Sequence, residues 1–396
     1  MAVRQELYKA AEQAIDVAAD VLHELSDAIW RTPELYFQEH EAHRLLTAFL
    51  EARGFPVQRA YLTDTAFRAD YGRGDTKVAI LCEYDALPEI GHACGHNLIA
   101  EVGVAASLGV KAALDAGGLD MGKLVVLGTP AEEGGGGKCL MLEKGAFSDL
   151  DVAMMAHPAN GDVTRCSFLA VNYFTVTYRG KASHASGFPW EGVNALDAAV
   201  MAYNNISVLR QQMKPTWKVQ GIISKGGTKP NIIPELSELE LSIRAPNRKE
   251  LNVVKGKVMS CLQAAATATG CTVDIESDPN PYMDVVYNKS LISAYETQLT
   301  SLGVDFIKEF PAGMAASTDM GNVSYVVPSI HPVYYIGSTA VNHTRDFTTA
   351  SGDPAAQPYT RTQAKAMART AIDVMCDADL LARIKRDFQE DMKNLA

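Results

Sequence analysis

The chain has 396 residues, 47% of them hydrophobic and 21% charged, with a net charge of -11. These proportions are those of a globular protein long enough for two or three domains. The acidic balance argues against nucleic-acid binding, which needs clustered Lys and Arg, and the basic pairs are no longer than Lys385-Arg386.

Residues 4–30 place Leu7, Ala11, Ile15, Ala18, Leu22, Leu25 and Ile29 at helical spacing and predict one long helix ended by Pro33. A second helix is predicted at 39–53, before Gly54. Three apolar runs then follow, each ending in polar residues. Lys77–Cys82 leads into Glu83, Asp85 and the His92-Ala-Cys-Gly-His-Asn97 cluster, and Lys123–Gly128 leads into Glu132-Glu133. Asp151–Ala156 leads into His157, with helices predicted between the runs at 98–116 and 138–145. Continuous apolar strands alternating with helices imply a sheet covered on both faces, an α/β/α sandwich. Ligands in such folds sit beyond the carboxyl ends of the strands, so the three polar clusters are expected to converge.

From Val171 the pattern alternates instead. Strand 171–179, helix 194–213, strands 217–224 and 238–243, helix 248–269 and strand 271–276 follow the ferredoxin-like order. This predicts an α+β domain at 169–284 inserted into a catalytic domain of 1–168 and 285–396, with Pro279-Asn280-Pro281 at the crossing. The remainder is read as a helix at 288–302, a strand at Val333–Ile336 and a last long helix. Met1–Asp20 is charged rather than signal-like, and no run approaches about 18 apolar residues, so no membrane span is expected. Seven cysteines at irregular spacing do not form a disulfide framework and suit a reducing compartment, taken as cytoplasmic.

His, Cys and paired carboxylates at strand ends are the donor types of zinc-like centres. Cys94 and His96 lie two apart and can reach one ion or two adjacent ones. Glu132 and Glu133 are neighbours, and neighbours rarely share a role: one can bind metal while the other takes a proton from the attacking water. A metal ion lowers the pKa of water it binds from about 15.7 towards roughly 7, and ligands from separate loops suit a two-metal geometry. Thiolate and imidazole favour zinc, whereas carboxylates also allow manganese.

Together with Arg31-Thr-Pro-Glu-Leu-Tyr-Phe-Gln-Glu39, Thr129-Pro-Ala-Glu-Glu-Gly134, Gly226-Gly-Thr-Lys-Pro-Asn-Ile-Ile-Pro234 and Asn342-His343-Thr344, the His92–Asn97 cluster resembles the dinuclear metallo-amidohydrolases nearly end to end. That family includes aminoacylase, hippurate hydrolase, auxin-conjugate amidohydrolase and p-aminobenzoyl-glutamate hydrolase. Within it, Cys82–Gly91 and Asn97 look closest to the branch that cleaves dipeptides ending in basic residues, such as β-alanyl-lysine. The resemblance implies that Cys94, His96, Glu133, His157 and His343 hold two divalent ions, zinc or manganese, and that Glu132 is the general base. Asp85 matches a position behind the ligands. His184 resembles a lid histidine that reaches the neighbouring subunit's active site and steadies the oxyanion. Asn231 and Arg244 resemble lid residues that bind substrate, its carboxylate included. The implied partners are a small dipeptide or N-acyl amino acid and, through the lid, a second copy of the chain.

Most relatives have Asp where this chain has Asn97, which removes a negative charge and bears on metal preference. Met314–Asp319 resembles a small-residue segment near the substrate, and His331 is either a competing ligand or a substrate contact. Three rival readings remain. Cys94 could be a thiol nucleophile with His92 or His96 as its base. Gly134–Lys138 hints at a phosphate loop, but Glu132 stands where its first glycine belongs and Cys139 where Ser or Thr would hold magnesium. A catalytically silent binding protein on the same fold is the third.

Overall fold

The computed structural model describes residues 2–309 and 316–395. The chain divides into two compact units, residues 1–167 with 285–396, and residues 168–284.

In the first unit the strands are β1 (Val57–Arg59), β2 (Phe67–Gly72), β3 (Lys77–Cys82), β4 (Lys123–Gly128), β5 (Val152–Met154), β6 (His157–Ala159) and β7 (Val163–Arg165). The second unit supplies β8 (Ala170–Arg179), β9 (Lys218–Lys225), β10 (Leu236–Ala245) and β11 (Thr272–Ser277). The chain then returns for β12 (Ile307–Glu309), β13 (Ser329–Ile330) and β14 (Val333–Tyr335).

The main sheet runs β1-β2-β4-β3-β5-β13. β4, β3, β5 and β13 are parallel, and β2 and β1 add antiparallel. Strand alternation sends Val78, Ile80, Cys82, Leu124, Val126, Val152 and Met154 into one core. Ala79, Leu81, Val125, Leu127, Ala153 and Met155 enter another, with Met141, Phe147, Met320 and Val323. Both faces are thus buried, as the near-continuous apolar runs demanded, and the unit is a three-layer sandwich. β12, β7, β14 and β6 form a smaller second sheet.

Helix His96–Gly117 is long and apolar enough to cross a membrane by composition, yet 89% of its most apolar window is buried. It packs against helices Ala2–Val17 and Gln357–Cys376, so its all-round apolarity serves the core. It also buries Glu101, which accepts a hydrogen bond from Gln357 Nε2 at 2.8 Å. Glu101 Oε1 and Gln357 Oε1 have no hydrogen-bond partner among the described residues. Burial pushes the Glu101 carboxyl up from 4.5 to about 7. A folded-state pKa above the unfolded one gives a contribution that is complete below about pH 4.5 and is lost as pH rises through about 7. Glu101→Gln is therefore expected to raise stability by on the order of 2 kcal/mol near pH 8 and to change little near pH 5. Denaturant midpoints at the two pH values check this, and an equal effect at both would contradict it.

Three expectations need correction. The predicted helix at 4–30 is two helices, Ala2–Val17 and Ala19–Arg31, broken at Ala18. The final helix is likewise two, Gln357–Cys376 and Ala378–Leu395, because Asp377 leaves the helical region at φ -132° and ψ 94°. Helix 98–116 begins earlier, at His96, so that residue belongs to a helical first turn and not to a loop.

The second unit is an antiparallel sheet in the order β11-β8-β10-β9, the ferredoxin-like arrangement. In β10, Leu239, Leu241 and Ile243 face the helices while Glu238 and Glu240 face away. Helices Ala195–Leu209 and Arg248–Thr269 close the core through Ala198, Ala202, Val254, Val258 and Leu262. Asn194 and Asn247 cap these helices by accepting backbone N–H groups, which fixes where each begins.

Candidate metal centre

The three polar clusters meet in the first unit. Gly95 has φ 78°, and a Cβ there would come within 2.6 Å of Pro158 Cγ, so only glycine makes the turn that sets Cys94 and His96 side by side. After β4, Ala131 adopts φ 60°, and its N–H donates to Glu39 Oε1 at 2.9 Å. Glu39 is fully buried and also accepts from Phe37 N and Thr65 Oγ1, so a carboxylate from the 31–39 segment sets the backbone just before Glu132. His343 enters from the far end of the unit at φ 66°, its N–H bonded to Ala93 O at 2.8 Å. Asn342 Nδ2 donates to the carbonyls of Cys94 and Pro158, which ties that loop to the Cys94 turn.

Ligand atoms of Cys94, His96 and His157 lie within 4.8 Å of one another, and so do those of Cys94, Glu133 and His343. Cys94 is common to both groups. Its Sγ is 3.3 Å from His157 Nε2, and His343 Nε2 is 3.3 Å from Glu133 Oε1. His96 joins a third group with Glu132 and Glu133. The imidazoles are turned for ligation. His96 Nδ1 donates to Asp85 Oδ1 at 3.0 Å and His157 Nδ1 donates to Pro158 O at 2.8 Å, leaving each Nε2 lone pair facing the cluster. Asp85 Oδ2 accepts Glu133 N at 2.8 Å, so one carboxylate orients two neighbouring side chains.

His96 Nε2 is buried without a hydrogen-bond partner among the described residues, and the carboxylate oxygens of Glu132 and Glu133 lie 3.9 and 3.8 Å from it. Buried polar atoms of this kind are costly unless something electrophilic lies between them, and mixed N, S and O donors at this spacing fit a pair of divalent ions. The neighbouring carboxyls are driven in opposite directions. Burial, then the charges of Glu83 and Glu133, hold Glu132 well above the usual carboxylate range. Burial also acts on Glu133, but the His343 hydrogen bond and the neighbouring His96 imidazole outweigh it and pull that carboxyl down. One is suited to carrying a proton and the other to remaining a charged ligand.

Cys94 does not resemble an activated nucleophile. Burial, reinforced by Glu133, raises its thiol well above the ordinary value. His92, one of the bases considered for it, donates Nε2–H to Ile29 O at 3.2 Å. The phosphate-loop reading also fails, because the fully buried Lys138 ammonium is bonded to Glu83 and Asp319 and cannot reach a phosphate. His331 is buried edge-on to His157, with ring centroids 5.7 Å apart, and stands outside both Cys94 groups. Asn97 faces away from the ligands: its Nδ2 donates to Ser351 O and Ser26 Oγ. An Asp here could do so only if protonated, so Asn97 reads as a packing requirement and not as a change in the metals' field.

In the second unit, His184 Nδ1 accepts the N–H groups of Ser186 and Gly187 at 3.3 and 3.0 Å. Its proton therefore sits on Nε2, the tautomer that can donate to a developing oxyanion. Asn231 lies on the adjoining segment, where Ala185 N donates to its carbonyl and His184 bridges Ile232. Arg244 does not join them. It pairs with Val171 at one end of the sheet, whereas Leu236 pairs with Arg179 at the end leading to His184. Eight strand residues, roughly 27 Å, separate the two ends. Asn231 and Arg244 of one unit thus cannot grip the same carboxylate. Arg244 instead donates to Tyr173 OH at 3.2 Å.

The peptidase dimerisation domain of the M20 family matches residues 171–269. The chain is 53% identical to the Xaa-Arg dipeptidase of Mus musculus, over 97% of this chain and 92% of that protein. The chain belongs to the M20 peptidase family. It is 27% identical to one of the p-aminobenzoyl-glutamate hydrolase subunits of Escherichia coli, over 98% of this chain and 95% of that one. Among solved structures, a dinuclear metal binding peptidase of the M20 family from Bacillus subtilis superposes with a TM-score of 0.63 at 19% identity, covering 90% of this chain and 99% of that chain. The likeness to that M20 structure concerns the fold.

The sequence does not mark three neighbours of the M20 site for the places the structure gives them: Glu39, Lys138 and Asp319. Glu39 stands there only as the end of the 31–39 segment, and Lys138 only as a candidate phosphate ligand. Asp319 follows residues 310–315, so the Met314–Asp319 segment lies partly outside the described residues. No periodicity marks these residues, because their partners are tens to hundreds of positions away.

Proposed function

We propose that this M20 peptidase is a metal-dependent dipeptidase acting on substrates with C-terminal Lys, Arg or Orn. The observation that carries the metal assignment is Cys94, shared by two three-residue ligand groups, with Glu132 beside them and outside both. The basic residue preference draws on the Xaa-Arg dipeptidase relative.

Two divalent ions, zinc or manganese, held by Cys94, His96, Glu133, His157 and His343 would supply Lewis acidity for the water and the scissile carbonyl. Glu132 takes the proton of the attacking water as oxygen adds to the carbonyl carbon. It then delivers that proton to the amide nitrogen as the C–N bond breaks, releasing an acid and an amine. Asp85 keeps His96 in the ligating tautomer and holds the Glu133 backbone. His184 donates Nε2–H to the oxyanion, reaching it from a second subunit, and Asn231 binds substrate beside it. Arg244 acts apart from this pair.

Dimerisation through the second unit is supported by its exposed apolar surface. Val208 is 72% exposed on helix Ala195–Leu209, and Ile222 is 59% exposed on the edge strand β9. A reducing, cytoplasmic setting suits a thiol ligand and seven unpaired cysteines.

Hydrolysis of dipeptides ending in Lys, Arg, Orn and Glu, with N-acyl amino acids alongside and zinc, manganese or cobalt added, tests the reading. The expected result is a kcat/KM for basic C-termini at least about tenfold above the others, a margin of roughly 1.4 kcal/mol. A preference for N-acyl or p-aminobenzoyl glutamates would replace the dipeptidase assignment with the amidohydrolase one. Bound metal with no hydrolysis of any substrate would leave a silent binding protein.

A further inference from the structure

Behind Glu132 lies a second acidic group, Glu83, Glu132 and Asp319, with carboxylate oxygens within 4.8 Å of one another. It shares no residue with the two groups built on Cys94. All three side chains are buried, and three carboxylates so close and so dry require a cation. The chain supplies one. Lys138, in the first turn of helix Gly137–Glu143, is fully buried. Its ammonium donates to Glu83 Oε1 and, at 2.7 Å, to Asp319 Oδ1. Asp319 Oδ2 also accepts the Lys138 backbone N–H at 2.8 Å, so one carboxylate grips both ends of the residue.

The position of that helix is itself fixed. Gly137 N donates to Ala131 O, and a Cβ on Gly137 would fall 1.8 Å from Pro130 O. The loop carrying Glu132 and Glu133 is therefore closed directly onto the start of the lysine's helix. Glu83 Oε2 faces His96 Nε2 at 3.6 Å, so the acidic group abuts the ligand cluster while its ammonium lies on the Glu83 Oε1 side.

We propose that Lys138 is a built-in cation that fills the Glu83–Glu132–Asp319 group in place of a further divalent ion, and that it thereby acts as a positioning residue for Glu132. The proposal rests on the metal-dependent reading above. A tethered ammonium cannot dissociate or be chelated. It balances Glu83 and Asp319 and keeps a divalent ion out of the group to which the Glu132 carboxylate belongs. Without it, the three carboxylates form a ligand set open to a divalent ion that would capture the base.

Metal content by elemental analysis, after chelator stripping and reloading with zinc, tests this alongside kinetics. Wild type should hold about two ions per chain. Lys138→Met keeps the length of the stem and removes the charge. It should hold about one ion more, with kcat lowered about 10²-fold and KM within about twofold of wild type. Lys138→Arg keeps the charge and should show wild-type metal content with most of the turnover restored. Lys138→Met with wild-type metal content and kcat would overturn the proposal. So would Lys138→Arg losing turnover as fully as Lys138→Met, since packing and not charge would then be the requirement. Should Lys138→Met not fold, the pair Lys138→Met/Glu83→Gln removes one positive and one negative charge together. It should fold and hold the wild-type number of ions, and an extra ion in it would also overturn the proposal. Absence of metal from wild type would instead refute the dipeptidase mechanism, so the two failures are distinguishable.

Discussion

Glu132→Gln is expected to lower kcat by roughly 10³-fold while metal content and fold remain those of wild type. The substitution is isosteric and removes only the ability to accept and return a proton. Glu132 lies outside both Cys94 groups, so the ions keep their donors. It is also the carboxyl that burial and its acidic neighbours hold well above the usual range, so replacing it with a neutral amide relieves repulsion and should not destabilise the unit. KM should move little, because the water and the scissile nitrogen call on Glu132 chiefly in the transition state. Turnover above a few per cent of wild type, measured on protein with verified metal loading, would refute Glu132 as the base. Loss of metal together with activity would make it a ligand instead.

The chemistry was more legible in the sequence than the details of its support. Cys94, His96, Glu133 and His157 follow strand ends, and a parallel sheet brings such ends together whatever the rest of the chain does. The alternation of Leu239, Leu241 and Ile243 with Glu238 and Glu240 was enough to set the face of β10. What the sequence concealed depends on tertiary partners. β2 has no clear pattern of its own because Phe67-Arg-Ala-Asp-Tyr-Gly72 mixes charge with apolar positions, and only its pairing with β4 makes Phe67 and Ala69 core residues. The break at Ala18 carries no proline or glycine to announce it, and the apolar spacing of Ile15, Ala18, Leu22 and Leu25 runs straight through it. Arg244 and Asn231 share one stretch of chain, yet the strand between them holds them at opposite ends of a sheet. Lys138 pairs with Glu83 and Asp319, 55 and 181 positions away, a separation no local pattern records.

Cys94→Ala is expected to lower occupancy of both ions, whereas His157→Ala should lower only one. The thiol is the donor common to the two ligand groups, and His157 belongs to one of them. Cys94 Sγ also contacts His157 Nε2 at 3.3 Å, so its loss removes a donor and leaves a half-buried imidazole facing a cavity. His343→Ala provides the complementary measurement. It should deplete the other ion and leave the site of His96 and His157 loaded, since His343 touches the cluster through Glu133 Oε1. The loop holding His343 remains anchored in that variant by Asn342 to the carbonyls of Cys94 and Pro158, which separates loss of a ligand from loss of the turn. Elemental analysis at a fixed free zinc concentration should therefore order the variants with Cys94→Ala lowest and the two histidine variants near half of wild type. Equal loss in all three would mean that the ions bind only as a pair. Unchanged content in Cys94→Ala would remove the thiol from the site and return the assignment to histidines and carboxylates alone.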